Sequence, residues 1–212
     1  MFALFAVAGF AGCKFANVVG IQGSGTAKTE TRSLSGFKEI KVENALHVEV
    51  TVQKDFAFTI TADDNLLEHI KTEVSGGTLV IATKDNIAPK TKIEIRVSLP
   101  ELTKLNVSGA STAVVAGAKT DALKLDASGA SKIRVDGEVK SVEAGASGAS
   151  GVEAENLKTE NAKVNASGAS NITVAPTGEL DAEASGASTV IYTNEPKSIK
   201  QNASGASSIR KK

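Results

Sequence analysis

Alternation of apolar and polar residues organises most of this chain. In the N-terminal half, "FKEIKVEN" puts Ile40 and Val42 on one face, "LHVEVTVQ" alternates Leu46, Val48, Val50 and Val52, and "FAFTIT" alternates Phe56, Phe58 and Ile60. "TLVIAT" and "KIEIRVSL" continue the same period of two with Leu79, Ile81, Ile93, Ile95, Val97 and Leu99. A period of two with one apolar face predicts half-buried β-strands. One stretch departs from it. In "DDNLLEHIKTEVSGG", Asp64 or Asn65 is placed to cap a short helix carrying Leu66, Leu67 and Ile70, with Gly76 and Gly77 ending it.

The C-terminal half repeats itself. The tetrapeptide SGAS begins at Ser108, Ser128, Ser147, Ser167, Ser185 and Ser204, with steps of 20, 19, 20, 18 and 19 residues. Apolar residues stand five, three and one positions before a repeat, as in Leu123, Leu125 and Ala127, and five and seven positions after it, as in Ile133 and Val135. The residues between them, such as Lys124, Asp126, Lys132 and Arg134, are polar. Each unit is therefore two alternating strands flanking SGAS, with a second turn near "VDGEV" or "APTGEL". Such a unit cannot bury its apolar face alone, but a stack can.

A propeller blade needs about forty residues, and a leucine-rich repeat would show its Leu and Asn ladder. A circuit of about nineteen residues that climbs one strand spacing, roughly 4.8 Å, predicts an all-β fold, a right-handed parallel β-helix (β-solenoid) with one short helix in its N-terminal half. A β-sandwich or an up-and-down barrel of hairpins is the alternative.

SGAS then reads as a corner. Gly109, Gly129, Gly148, Gly168, Gly186 and Gly205 bend the backbone with no Cβ in the way. The Ala is expected to fill a narrow interior, and the serines, including Ser108, Ser128, Ser147, Ser167, Ser185 and Ser204, to bond turn backbone or one another between coils. A catalytic serine needs an adjacent base, and no histidine follows His69.

Composition removes several functions. Lys and Arg total 24 and so do Asp and Glu, so no net field draws the chain to nucleic acid. Aromatic residues are 4%, with no Trp and one Tyr, which argues against glycan binding by ring stacking. "GIQGSG" lacks the Lys-Ser/Thr of a phosphate loop. No metal or cofactor signature is present: His69 has no partner at metal spacing, and His47 is an exposed strand residue. The nearest approach to a carboxylate pair for sugar chemistry is Asp181 and Glu183 on one strand face, and they read as solvated outer residues.

The chain opens "MFALFAVAGFAGCKFANVVG". Its apolar run is too short to span a bilayer and fits the core of a signal peptide. "FAGC" resembles a bacterial lipobox, although Phe10 stands where Leu is usual and no basic residue precedes the run. The expected organisation is a lipoprotein signal peptide over 1–12, lipid attachment at Cys13, a flexible tether over 13–26, an N-terminal β region of the solenoid with the short helix over 27–100, and SGAS coils over 101–212. Lys211 and Lys212 are expected to blunt the last edge against end-to-end stacking.

The segments "GSGTAKTETRSLSGFKEIKVENALHVEVTVQ" and "ADDNLLEHIKTEVSGGTLVIAT", together with the SGAS coils, resemble the head GIN domain family of auto-transporter adhesins found mainly in Bacteroidetes. The resemblance covers about Gly23 to Lys212 and implies a secreted or lipid-anchored β-helical protein with no established biochemical function. The expectation is a non-catalytic, lipid-anchored protein of the bacterial envelope, on the outer membrane, surface or periplasmic face. It would act as an adhesin or scaffold toward matrix, glycan or an envelope partner, without cofactor and without nucleic acid. A polysaccharide-active β-helix enzyme is the alternative by analogy of fold alone.

Overall fold

The computed structural model describes residues 20–212, so the signal segment and Cys13 lie outside the described residues. The first strands are β1 (Ile21–Gln22), β2 (Ala27–Thr31), β3 (Glu39–Val42), β4 (His47–Val52) and β5 (Ala57–Asp63). A short helix (Asp64–His69) is followed by β6 (Ile70–Ser75), β7 (Thr78–Thr83), β8 (Ile87–Ala88), β9 (Glu94–Leu99) and β10 (Lys104–Val107). Three long strands then turn corners within themselves: β11 (Thr112–Ala127), β12 (Lys132–Ala146) and β13 (Gly151–Ala166). The chain finishes with β14 (Asn171–Pro176), β15 (Glu179–Ala184), β16 (Thr189–Tyr192), β17 (Ser198–Ala203) and β18 (Ser208–Lys211).

These strands form a β-solenoid of about five turns. Successive coils pair in parallel without slipping: Leu105 sits on Leu125, which sits on Ala144, and the column continues through Val164 and Ala182 to Gln201. A one-residue slip would turn each apolar face outward, so burial fixes the register. The interior tapers. Phe37, Phe58, Ile40 and Ile60 fill the N-terminal end, and the column from Val107 becomes Ala127, Ala146, Ala166 and Ala184 toward the other.

At each corner the glycine φ lies between 72° and 78°, a left-handed conformation that costs a side chain free energy. The corners also touch. The amide of Ala149 donates to the carbonyl of Gly129 at 2.7 Å, and Ala130, Ala169 and Ala187 repeat the bond at the same distance. A Cβ on Gly148 would lie 2.7 Å from the Gly129 oxygen. The alanines of SGAS are exposed, contrary to the expectation that they fill the interior. The positive φ reverses which way the chain faces, so Ala points out and the second serine points in.

Threading of the first coils is not sequential. β3 pairs in parallel with both β7 and β10, and β4 with both β9 and β11. The coil made first is therefore sandwiched between the coil made next and the SGAS stack. Its corner is Glu43–Asn44–Ala45–Leu46, with Asn44 at φ 66° and Ala45 at φ 61° in place of glycine.

Reversal of strand direction closes the N-terminal end. β5 runs antiparallel to β9, β2 antiparallel to β5, and β6 antiparallel to β7. The short helix is a six-residue 3-10 turn, and Ile70 begins β6 rather than extending it. Gly76 and Gly77, both at positive φ, form the β6–β7 hairpin turn instead of a helix end. The period-two run of Ile70, Thr72 and Val74 outcompetes helix once β7 offers it a partner. Arg32 seals the 3-10 turn, donating to the carbonyls of Leu67 and Ile70 at 2.9 and 2.7 Å and to the Thr72 hydroxyl.

Neither Asp64 nor Asn65 caps that turn; Asp63 occupies the cap position, and its side chain is used elsewhere. Fully buried, its carboxylate accepts amide hydrogens from Gly25, Lys90 and Thr91 at 2.7, 2.9 and 3.1 Å. Burial pushes its pKa up, but the amides of Thr91, Gly25 and Lys90 more than offset this and hold it below the ordinary 3.8.

The C-terminal end is open and polar. β17 is exposed throughout, its inward position is Gln201 where the coils beneath have Leu, Ala or Val, and Lys211 and Lys212 fold back onto Glu195 and Glu155. A polar last coil protects a sheet edge from unwanted pairing.

Gly148→Ala should cost about 2–4 kcal/mol through left-handed strain and overpacking together. Gly36→Ala, with φ 77° but open space around it, should cost about 1 kcal/mol; urea unfolding of the two variants checks the difference. Because the native pKa of Asp63 is depressed, its contribution to stability is present above its unfolded value and is lost as pH falls below 3.8 through the native value. Acid titration of thermal stability should show that Asp63→Asn removes this part of the acid sensitivity and is destabilised at neutral pH.

Candidate functional site

The two serines of each repeat have different surroundings. Ser150 is buried, and its hydroxyl meets the carbonyls of Ala127 and Ser147 and the amide of Ser147, at 2.9, 2.9 and 3.0 Å. Ser131, Ser170, Ser188 and Ser207 make the same bond to the coil below, reaching the carbonyls of Val107, Ala146, Ala166 and Ala184 at 2.9 to 3.0 Å. Ser111 instead accepts from the Leu46 amide at 3.2 Å. The first serines, Ser108, Ser128, Ser147, Ser167, Ser185 and Ser204, lie at the outer rim beside the stacked glycines. Both serine columns are expected from the sequence to bond turn backbone between coils, and the second serine of each repeat makes that bond.

Outward side chains form columns of nearly balanced charge. On one sheet the column runs Glu39, Lys104, Lys124, Glu143, Lys163, Asp181 and Lys200. Lys124 and Glu143 pair at 2.8 Å, and each is shifted by the other's hydrogen bond, the lysine upward and the carboxyl downward. Asp181 stands between Lys163 and Lys200, with the latter 3.5 Å away. Glu183 accepts from the Asn165 amide at 3.3 Å. The two carboxylates singled out for sugar chemistry thus share a strand face, with their own basic and amide neighbours. On the adjoining sheet, Arg96 pairs with Glu49 at 3.0 Å and Arg134 with Glu153 at 2.7 Å, while Lys132 also pairs with Glu153. Burial pushes the Glu153 carboxyl up, and the hydrogen bonds from Lys132 and Arg134 bring it below its usual range.

A groove opens on the third side of the coil. Coil length explains it: the step from Ser167 to Ser185 is 18 residues, whereas the step before it is 20 and the one after it 19. The short coil contributes Ala175, Thr177 and Gly178 to the lining of the groove. Glu155 to Glu160 lie on one side of it and Asn194 and Lys197 on the other, and the whole cavity, about 1110 Å³, extends on over Lys119 to Asp121 and Glu138 to Lys140. Gly178 lies against the longer coil, where a Cβ would meet Asn161 Oδ1 at 2.7 Å.

Beyond Glu160 the same face carries a checkerboard. Lys119, Glu138 and Lys158 stack in one column, and Asp121, Lys140 and Glu160 alternate against them two residues away. Lys140 pairs with Asp121 at 2.8 Å, which with the nearby Glu160 raises its pKa. The sequence reading did not find this groove, although the 18-residue step was its visible signal.

Among the described residues, no group of three or more His, Cys, Asp or Glu side chains is gathered for a metal. His69 Nδ1 lies 2.8 Å from Asp85, and His47 is part-exposed beside Glu49. The arrangement offers hydroxyl, amide and paired charged groups at regular spacing. It is suited to many weak polar contacts along an extended partner.

These features define a class: a capped, parallel β-solenoid with a glycine-stacked corner. The chain belongs to the family described as "Putative auto-transporter adhesin, head GIN domain", which it matches over residues 36–196. It is similar in structure to a "putative adhesin" from Bacteroides fragilis, with 20% identity, a TM-score of 0.75, and 91% of this chain and 100% of that chain covered. A "putative adhesin" from Parabacteroides merdae is 15% identical with a TM-score of 0.60 over 91% and 98% of the two chains. A "Putative lipid binding protein" from Parabacteroides distasonis is 24% identical with a TM-score of 0.54 over 91% and 99%. At these identities the likeness is one of fold. No curated protein is significantly similar to the chain.

Ser150→Ala removes the hydroxyl that bridges the Ala127 and Ser147 carbonyls while the Ser147 amide still donates to the Ala127 carbonyl at 3.0 Å, and should cost about 1 kcal/mol. Ser147→Ala should fall within about 0.5 kcal/mol of the parent, and paired denaturant titrations check both.

Proposed function

We propose that this protein is a non-catalytic adhesin or scaffold of the bacterial envelope, lipid-anchored through Cys13, which contacts matrix, glycan or an envelope partner along its ladder faces and third-side groove. The observation that carries this reading is the regular, locally neutralised lattice of outward side chains. A lattice with charges paired between coils has little long-range field to steer small ions, but it offers polar groups at a fixed spacing of about 4.8 Å. Membership of the adhesin family supports it. Individually weak contacts along such a surface become useful through multiplicity when many copies share one membrane. Pairing of Asp181 with Lys200 and of Glu183 with Asn165 gives those residues an ordinary part in the lattice.

Protease treatment of intact cells should remove the solenoid while a periplasmic control survives, and Cys13→Ser should move the protein from the membrane to the soluble fraction. Protection of the solenoid with an intact control places it in the periplasm, ending the adhesin reading in favour of a scaffold. Retention of Cys13→Ser in the membrane fraction removes the lipid anchor from the proposal.

A further inference from the structure

The second outward column of the first sheet runs Lys41, Asn106, Asp126, Gly145, Asn165, Glu183 and Asn202. Every member but one has a polar side chain. The fold does not require the exception. Gly145 is not among the glycines with positive φ, and a Cβ there would meet only the tip of the Asp126 side chain, at 2.9 Å, with the nearest backbone atom at 4.0 Å. At the corners, by contrast, the neighbouring backbone stands 2.7 to 3.2 Å from such a Cβ. A glycine inside a strand sacrifices side-chain packing and chain entropy, and it often marks a place where something else approaches the backbone.

What it leaves is a slot in the sheet surface, within a depression of about 570 Å³. Asp126 and Asn165 stand on either side, two coils apart and so separated by about 9.6 Å. Ser128, Ser147 and Ser167 line the corner side. The Asn165 amide donates to Glu183 at 3.3 Å, which leaves its carbonyl oxygen to accept. The slot therefore combines the Asp126 carboxylate, which leans over Gly145, an amide oxygen and a row of rim hydroxyls, with Glu143 and Lys163 along its other flank.

We propose that this slot binds one pyranose residue of a hydroxylated glycan. Hydroxyls on opposite sides of the ring would donate to Asp126 and Asn165, the rim serines would donate in return, and the C–H face of the ring would lie on the part of the Gly145 backbone that the Asp126 carboxylate leaves uncovered. With no aromatic platform in the slot, the site binds by hydrogen bonding, and a single sugar is held at roughly millimolar strength. This rests on the contact-surface reading, and it is tested on purified protein so that membrane location does not enter.

Saturation-transfer NMR on the full-length protein in detergent micelles, with the methyl pyranosides of mannose, galactose and glucose as probes, provides the test. Transfer to the ring protons of at least one probe is expected, weakened about tenfold or more by Gly145→Asn and by Asp126→Ala and unchanged by Lys71→Ala in the N-terminal cap. Circular dichroism establishes that the variants fold, and Asp126→Ala keeps the test decisive if Gly145→Asn does not. Absence of transfer from all three probes overturns the proposal. Transfer that survives both slot variants but is lost in Lys158→Ala also overturns it, moving the sugar to the third-side groove and leaving the contact-surface reading intact.

Discussion

The rest of the solenoid depends on the close approach of one glycine corner to the next. Where Ala149 donates to Gly129 at 2.7 Å, a Cβ on the upper glycine would overlap the lower carbonyl. The repeat therefore holds glycine for two independent reasons, a left-handed φ and a neighbour directly beneath. Once the corners are clamped at one strand spacing, the columns fall into register. Apolar side chains stack inward, charges stack outward opposite their partners, and the buried serines tie each corner to the coil below. Deleting the inner hydroxyl and adding a methyl at the glycine attack the same clamp from its two sides.

Regular stacks have the problem of stopping. At the N-terminal end, β5 and β6 reverse direction, and the buried Asp63 carboxylate ties two loops to the end of β5 through backbone amides. At the other end the last coil simply becomes polar: Gln201 replaces the apolar inward residue, and Lys211 and Lys212 fold back onto acids of earlier coils.

The regular stack is interrupted in two places. The regular columns offer a neutral, evenly spaced surface common to each coil. A coil shortened to 18 residues opens the third-side groove, and one missing side chain at Gly145 opens a slot on the first sheet. Neither is required for stacking. Both alter the shape of a surface whose charges are otherwise balanced locally.

The sequence by itself determined the architecture. Period-two strands assigned the inward residues correctly, from Ile40 and Val42 to Ile172 and Val174, and the spacing of SGAS identified the solenoid and its glycine corners, because strand alternation and glycine conformation are local properties. Tertiary structure decided the remainder. Whether Ala or the second Ser of SGAS points inward depends on how a left-handed glycine reorients the chain against the coil below. The run after Asp64 became a brief 3-10 turn and then β6, because β7 was available for pairing. The first coil came to lie between two later ones, a matter of which edges meet across 39 to 65 residues, and the groove arose only when coils of unequal length were stacked. Each of these outcomes is set by contacts between coils, which no window of adjacent residues contains.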